Sequence, residues 1–199
     1  MIIGVMGLSG CGKTTFCSYL KKLGAYVVDA DLIGREVLEK GSQGLKEVKE
    51  IFGEDILFSD GSLNRKKLGE IVFNDEEKLR LLNGVTFDKI DCEIKRKALE
   101  SKNEIVVIDC AMLNKMKSKD ICDKIILIKA PLETMINRIM IRDNLSYESA
   151  KARIESQLNA FLEVCDVIIE NDNDKNKLEE YALKIYGGNL KWVKRKNHF

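Results

Sequence analysis

Residues Gly7-Leu8-Ser9-Gly10-Cys11-Gly12-Lys13-Thr14 follow the pattern GxxxxGK(S/T). That pattern works in one local setting, a strand ending at the first glycine and a helix starting near the lysine. The flanks supply both. Ile2-Ile3-Gly4-Val5-Met6 is a short apolar run of strand type, and from Thr15 to Leu23 the residues Phe16, Tyr19, Leu20 and Leu23 recur at helical spacing. A strand, a glycine turn and a helix in that order aim several backbone N–H groups at one spot, where the helix start adds about half a positive charge. Gly7, Gly10, Cys11, Gly12, Lys13, Thr14 and Thr15 are the expected phosphate cradle. Lys13 reaches the β- and γ-phosphates of a nucleotide such as ATP, and the Thr14 hydroxyl is the expected ligand to Mg²⁺.

A loop of this kind implies a parallel sheet, and the rest of the chain offers the strands. Tyr26–Asp29, Ile105–Asp109, Ile125–Ile128 and Val167–Ile169 are β-branched runs without polar alternation, as strands buried on both faces require. Helical stretches separate them. The expected architecture is α/β, a five-stranded parallel sheet sandwiched by helices. The second and third strands are too far apart for a simple crossover, and most of the span between them reads as helix. An inserted helical subdomain over about 60–102 is therefore expected. Within it Asn74-Asp75-Glu76-Glu77 looks like a helix start, and Phe87, Ile90, Ile94 and Ala98 line one face. Pro131 opens a later helix, Asp143-Asn144 breaks it, and from Ser146 a further helix has Ala150, Ile154, Leu158 and Phe161 as its buried stripe. Residues of about 137–162 form the expected helical lid.

Composition excludes several classes. Lys+Arg of 33 against Asp+Glu of 32 leaves a formal charge of +1, without the basic excess of a nucleic-acid binder. No apolar run approaches the roughly 18 residues of a membrane helix. The apolar start has no basic lead and ends in the glycine loop, unlike a signal peptide. A cytoplasmic protein without membrane or nucleic-acid partners is expected. The six cysteines form no CxxC pair, and the single histidine is His198. Neither a metal centre, a disulfide framework nor histidine catalysis is expected. Most of the cysteines read as small buried residues. Cys11 stands apart: beside a helix N-terminus its thiolate is favoured, unless it merely fills an unconstrained loop position.

Other candidates gather at strand ends, where α/β sheets bind ligands. Asp29-Ala30-Asp31 closes the second strand. Asp31 either takes or orients the proton of an attacking hydroxyl or caps the helix beginning near Leu32. Asp109, ending the third strand, either meets Mg²⁺ through water or holds a neighbouring loop. Arg138 and Arg142, four apart, share one side of a helix, and their planar guanidinium groups suit transferring phosphates. Arg153 and Gln157 form a similar pair that reaches the same space if the two helices fold over as a lid. The basic tail from Lys191 to Phe199 reads as a loosely held terminus.

From Met1 to about Leu178 the chain resembles the dephospho-CoA kinase family. The resemblance rests on Gly10–Thr15, Asp29–Val37, Gly61–Gly69, Ile71–Asp75, Leu82-Asn83, Arg138–Asp143, Arg153–Gln157 and Cys165–Asn171. It implies a phosphate-loop kinase core, an inserted domain that receives the CoA moiety, and a lid. The implied reaction moves the ATP γ-phosphate to the ribose 3′-hydroxyl of 3′-dephospho-CoA. Asp31 then matches the family's base, and Arg138 and Arg142 match its lid arginines. Arg35 and Arg65 fall in the segments assigned to the acceptor, and Asn171 near the adenine end of the ATP site. Two stretches depart from the family's pattern: Phe87-Asp88 replaces a His-Pro pair, and Ala111-Met112-Leu113-Asn114-Lys115 replaces Pro-Leu-Leu-Phe-Glu. Both border the expected acceptor pocket. Exchanging Glu for Lys115 changes local charge by about two units, enough to retune the grip on an anionic acceptor.

A related kinase acting on a nucleoside or nucleoside monophosphate is the alternative. A nucleotide-dependent regulatory protein is the other, and it fits less well: Arg138 and Arg142 are supplied in the same chain, and no NKxD-type guanine-reading segment follows the third strand.

Overall fold

Five apolar runs become strands: β1 (Ile2–Met6), β2 (Tyr26–Asp29), β3 (Val106–Asp109), β4 (Lys124–Lys129) and β5 (Val167–Glu170), within a residue or two of the sequence reading. The structure is a computed structural model describing residues 1–72, 75–158, 165–172 and 176–188. Phe161, the Phe73-Asn74 pair and the tail from Lys191 lie outside the described residues. The helices are α1 (Lys13–Lys22), α2 (Ala30–Glu36), α3 (Gln43–Phe52), α4 (Arg65–Val72), α5 (Glu76–Glu100), α6 (Leu132–Asp143), α7 (Tyr147–Leu158) and α8 (Lys177–Tyr186). Among the described residues no helix is long and apolar enough to cross a membrane. The chain divides into two compact units, residues 29–96 and the remainder.

The larger unit carries the parallel sheet, in the order β2-β3-β1-β4-β5. β1 is central, with Ile2 opposite Val106 on β3 and Ile3 opposite Lys124 on β4. The register is pinned by carboxylates. Asp123, just before β4, accepts from Ile2 N at 2.7 Å, and Asp166, just before β5, accepts from Ile125 N at 2.7 Å. Each would otherwise be an unpaired amide at a strand start. Inner strands β1, β3 and β4 are buried almost throughout, whereas the edge strands expose Tyr26 and Ile168. One apolar cluster unites Ile3, Val5, Val107, Ile126 and Ile169 with Phe16 and Leu20 of α1, Ile136 and Ile139 of α6, Ala150 and Ile154 of α7, and Ala182 and Ile185 of α8. Asn144, in the left-handed conformation at φ 52, ends α6 where expected. Leu158 departs from the expected stripe: it is 47% exposed at the end of α7.

The smaller unit begins at Asp29 and ends at Arg96, rather than following the 60–102 span of the helical run. The reason is its core. Leu38, Leu45, Val48, Ile56, Leu63, Leu68 and Val72 form one cluster that draws on both sides of residue 60. Asp29 caps α2 through Leu32 N at 3.0 Å, and Ser42 caps α3 through Leu45 N at 3.1 Å. At the start of α5, Asp75 accepts from Glu77 N and Lys78 N, both at 3.1 Å. Ile94 and Ala98 of α5 are buried, while Phe87 and Ile90 are half-buried.

Candidate active site

The loop between β1 and α1 has the shape its glycines dictate. Gly10 (φ 80) and Gly12 (φ 99) take backbone conformations that side chains disfavour. Space forbids a side chain as well: a Cβ at Gly10 would lie 2.6 Å from Met135 O, and one at Gly12 2.3 Å from Asn171 Nδ2. Cys11 N donates to Leu8 O at 3.2 Å, closing a turn, and Gly12 caps α1 with no side-chain oxygen of its own. Thr14 and Thr15 stand exposed in the first turn, which contains no acidic residue. The helix start therefore keeps its positive end available to an anion.

Lys13 pairs with Asp109 at the end of β3, and both side chains are nearly buried. This contact makes Asp109 a counter-charge of the loop lysine.

Three side chains from separate elements hold the loop from outside. Arg138 Nη1, on α6, donates to Gly10 O at 3.0 Å. Asn171 Nδ2, just after β5, donates to Cys11 O at 2.7 Å, while its own amide donates to Lys129 O at 2.7 Å. Gln157, on α7, accepts from Ser9 N at 2.9 Å and donates to Ser9 Oγ at 3.0 Å. Asn171, expected at the adenine end of an ATP site, thus spends its side-chain donor bracing the loop. Ser9 was not a candidate in the sequence, because its motif position accepts any residue.

Cys11 overturns the expected reactive thiolate. Burial pushes its thiol up to about 11, and the Lys13 backbone hydrogen bond and the Lys13 charge offset this only in part. Cys17 is likewise raised well above its ordinary value, chiefly by desolvation. Cys110 and Cys122 are also buried, whereas Cys92 is exposed.

Arg142 follows Arg138 on α6 and engages an acid. One turn further along α6, it donates from Nε and Nη2 to the two oxygens of Asp143, both at 2.8 Å. Arg153 Nη1 donates to the same carboxylate at 2.7 Å. Asp143 is held below the usual carboxylate range, first by the Arg142 hydrogen bond and then by the charges of Arg142 and Arg153. Two of the expected lid arginines thus share one acid, and the loop contact of α7 comes from Gln157. A cavity of about 590 Å³ lies beside the loop, walled by Leu8, Ile128, Pro131, Met135 and Leu158, with Asp172 among its polar lining.

In the smaller unit Asp29, not Asp31, caps α2. Asp31 is exposed in the first turn. Arg65 Nη2 donates to Arg35 O at 3.0 Å. Partial burial, then the Arg35 charge, pull Arg65 below the usual arginine value, so two cations share a neighbourhood. Of the departing segments, Asp88 is exposed on α5, while Leu113 is fully buried and anchors a short helical turn through Lys115.

Comparison with known proteins is consistent across sequence and structure. The family model for dephospho-CoA kinase matches residues 1–177. A dephospho-CoA kinase of Listeria monocytogenes serotype 4b is 37% identical over 186 residues, covering 91% of this chain and 93% of that protein. That of Carboxydothermus hydrogenoformans is 35% identical over 189 residues, covering 92% of each. Among solved structures, a Thermus thermophilus protein aligns with a TM-score of 0.77 at 26% identity, covering 96% of this chain and 98% of that one. The dephospho-CoA kinase of Campylobacter jejuni aligns with a TM-score of 0.60 at 30% identity, covering 94% and 96%.

Proposed function

The chain belongs to the dephospho-CoA kinase family, and from that membership we propose how its residues divide the work. The protein is an ATP-dependent phosphotransferase that moves the γ-phosphate of ATP to the 3′-hydroxyl of 3′-dephospho-CoA, the last step of coenzyme A biosynthesis. The observation that supports the assignments best is the externally braced loop at the start of α1, with the Lys13 ammonium paired to Asp109 beside it.

In our reading the amides of residues 10–15 receive the ATP phosphates, and Lys13 neutralises charge on the β- and γ-groups. The bond between the 3′-oxygen and the γ-phosphorus forms as the bond from that phosphorus to the β,γ-bridging oxygen breaks, leaving ADP. Asp31 accepts a hydrogen bond from the 3′-hydroxyl, orients it, and takes its proton. Little proton removal is needed until late in a loose transition state, so orientation is the larger part. Arg138 spreads positive charge over the transferring group, and Arg142 joins it by exchanging Asp143 for phosphate oxygens. Arg35 and Arg65 hold the anionic acceptor within the inserted unit. Residues of about 137–162 serve as the lid.

Mg²⁺ suits the donors present. The Thr14 hydroxyl and the Asp109 carboxylate are both hard oxygen ligands, and among the described residues no group of three or more His, Cys, Asp or Glu could cage a metal. A cation held by few protein oxygens and by substrate phosphates is what Mg²⁺ favours. When bound it supplies charge neutralisation on the phosphates. A cytoplasmic location belongs to the same reading.

The test is ADP release from Mg·ATP with 3′-dephospho-CoA, adenosine, AMP or no acceptor, with the product identified by mass. Stimulation by dephospho-CoA alone, giving CoA, is expected. Stimulation by adenosine or AMP instead would refute the acceptor assignment.

A further inference from the structure

Ser9 occupies a motif position that places no demand on its side chain, yet both its amide and its hydroxyl are engaged by one residue. Ser9 N donates to Gln157 Oε1 at 2.9 Å, and Gln157 Nε2 donates to Ser9 Oγ at 3.0 Å, across 148 positions of sequence. The grip has a firm base. Ala150 and Ile154, on the same helix as Gln157, are fully buried in the main apolar cluster, so the amide projects from an element that packing holds in place. The next two residues of the loop are tied in turn, Gly10 O by Arg138 and Cys11 O by Asn171. Consecutive residues of a glycine-rich segment are thus fixed from three elements. The amides of Gly10, Gly12 and Thr14, by contrast, donate to no protein group among the described residues.

We infer that Gln157 is a positioning residue of the transfer: through its two-point hold on Ser9 it sets the phosphate loop in its binding shape before ATP arrives. A loop left to its glycines must be ordered by the ligand, and that ordering is subtracted from affinity. A loop already ordered gives the affinity back. The effect belongs to ATP, not to the acceptor, because Ser9 lies in the phosphate loop itself. The inference rests on the kinase reading and deepens it.

Gln157→Met tests it, since methionine keeps the length and the helix preference but can form neither bond. With two hydrogen bonds lost, the KM and Kd for ATP rise about tenfold. kcat falls by less than about threefold, and the KM for dephospho-CoA stays as it was. Ser9→Ala keeps the amide bond and raises the ATP constants about threefold. The double variant is no weaker than Gln157→Met alone, because both changes remove the same contact. Gln157→Asn, too short to reach, behaves like Gln157→Met and stands in if that variant folds poorly. Unchanged ATP constants in a folded Gln157→Met protein overturn the inference. Effects that multiply in the double variant, or KM values that rise alike for both substrates, also overturn it. Calorimetric ATP binding is read separately from turnover, so an absence of transfer to dephospho-CoA in the wild type counts against the kinase reading and leaves the loop measurement standing.

Discussion

Adding one methyl group at Gly12 puts the bracing of the loop to a quantitative test. Gly12 sits at φ 99, ψ 12, a left-handed conformation that disfavours an L side chain by about 1–2 kcal/mol. The new Cβ would also lie 2.3 Å from Asn171 Nδ2. That amide has to swing away, and its 2.7 Å bond to Cys11 O goes with it. A buried carbonyl left without its donor costs about 1–3 kcal/mol. Gly12→Ala is therefore expected to destabilise the protein by about 2–5 kcal/mol. Asn171→Ala loses the same bond and is expected to cost about 1–3 kcal/mol by itself. Because the second term is common to both, the double variant should cost no more than Gly12→Ala, a coupling of about 1–3 kcal/mol in a double-mutant cycle. Urea denaturation followed by circular dichroism measures all four proteins. Additive losses, or a Gly12→Ala protein within about 0.5 kcal/mol of wild type, would refute the reasoning: the first would mean that the methyl does not act through Asn171, the second that the loop is not packed.

Lys13→Met should end transfer in the ADP-release assay and destabilise the protein by as much as about 3–5 kcal/mol, because it takes the lysine charge from the nearly buried Asp109 carboxylate. Adding Asp109→Asn should recover much of that stability in denaturation and none of the turnover. Asp31→Asn should lower kcat at least on the order of 10²-fold with little change in melting temperature, since the cap of α2 is Asp29; a loss below about threefold in kinetics would remove Asp31 from the chemistry. With the Cys11 thiol raised to about 11, its thiolate fraction at pH 8 is about one in a thousand and grows tenfold with each unit of rising pH. Mass-mapped alkylation of the native protein at pH 8 should therefore mark exposed Cys92 well before Cys11 or Cys17, and early labelling of Cys11 would contradict its burial.

What could be read before the structure was whatever a local pattern determines. The strands announce themselves as β-branched runs, and Asp143-Asn144 marks the end of α6 because asparagine tolerates the left-handed turn it adopts. The phosphate loop was legible for the same reason. Contacts across the fold were not. Neighbourhood to a helix start suggested a reactive Cys11, but sequence does not report desolvation, and desolvation dominates there. Spacing put Arg138 and Arg142 on one side of α6; it did not report that Arg138 donates to Gly10 O or that Asp143 engages Arg142. The core of the smaller unit was not legible either, because it is collected from Leu38 through Val72, across loops that look like separators. Asn171 and Gln157 act on the loop through amides whose partners are about 150 positions away, a distance at which no sequence periodicity operates.

The strand order also sets a timetable for the chain as it is made. β1 precedes both of its partners in sequence by about a hundred residues or more: Val106 and its neighbours on one side and Lys124 and its neighbours on the other. At about 5–20 residues per second, the apolar β1 waits on the order of ten seconds before either flank exists. The insertion faces no such delay. Its residues are contiguous, and its apolar cluster, with Leu79, Leu82 and Val85 packed against it, is complete once Val85 has emerged. A nascent chain halted before β3 would therefore hold a finished insertion and an unpaired β1, the kind of bare strand that holding chaperones bind. The strand that leads into the nucleotide loop is thus made well before the two strands that flank it.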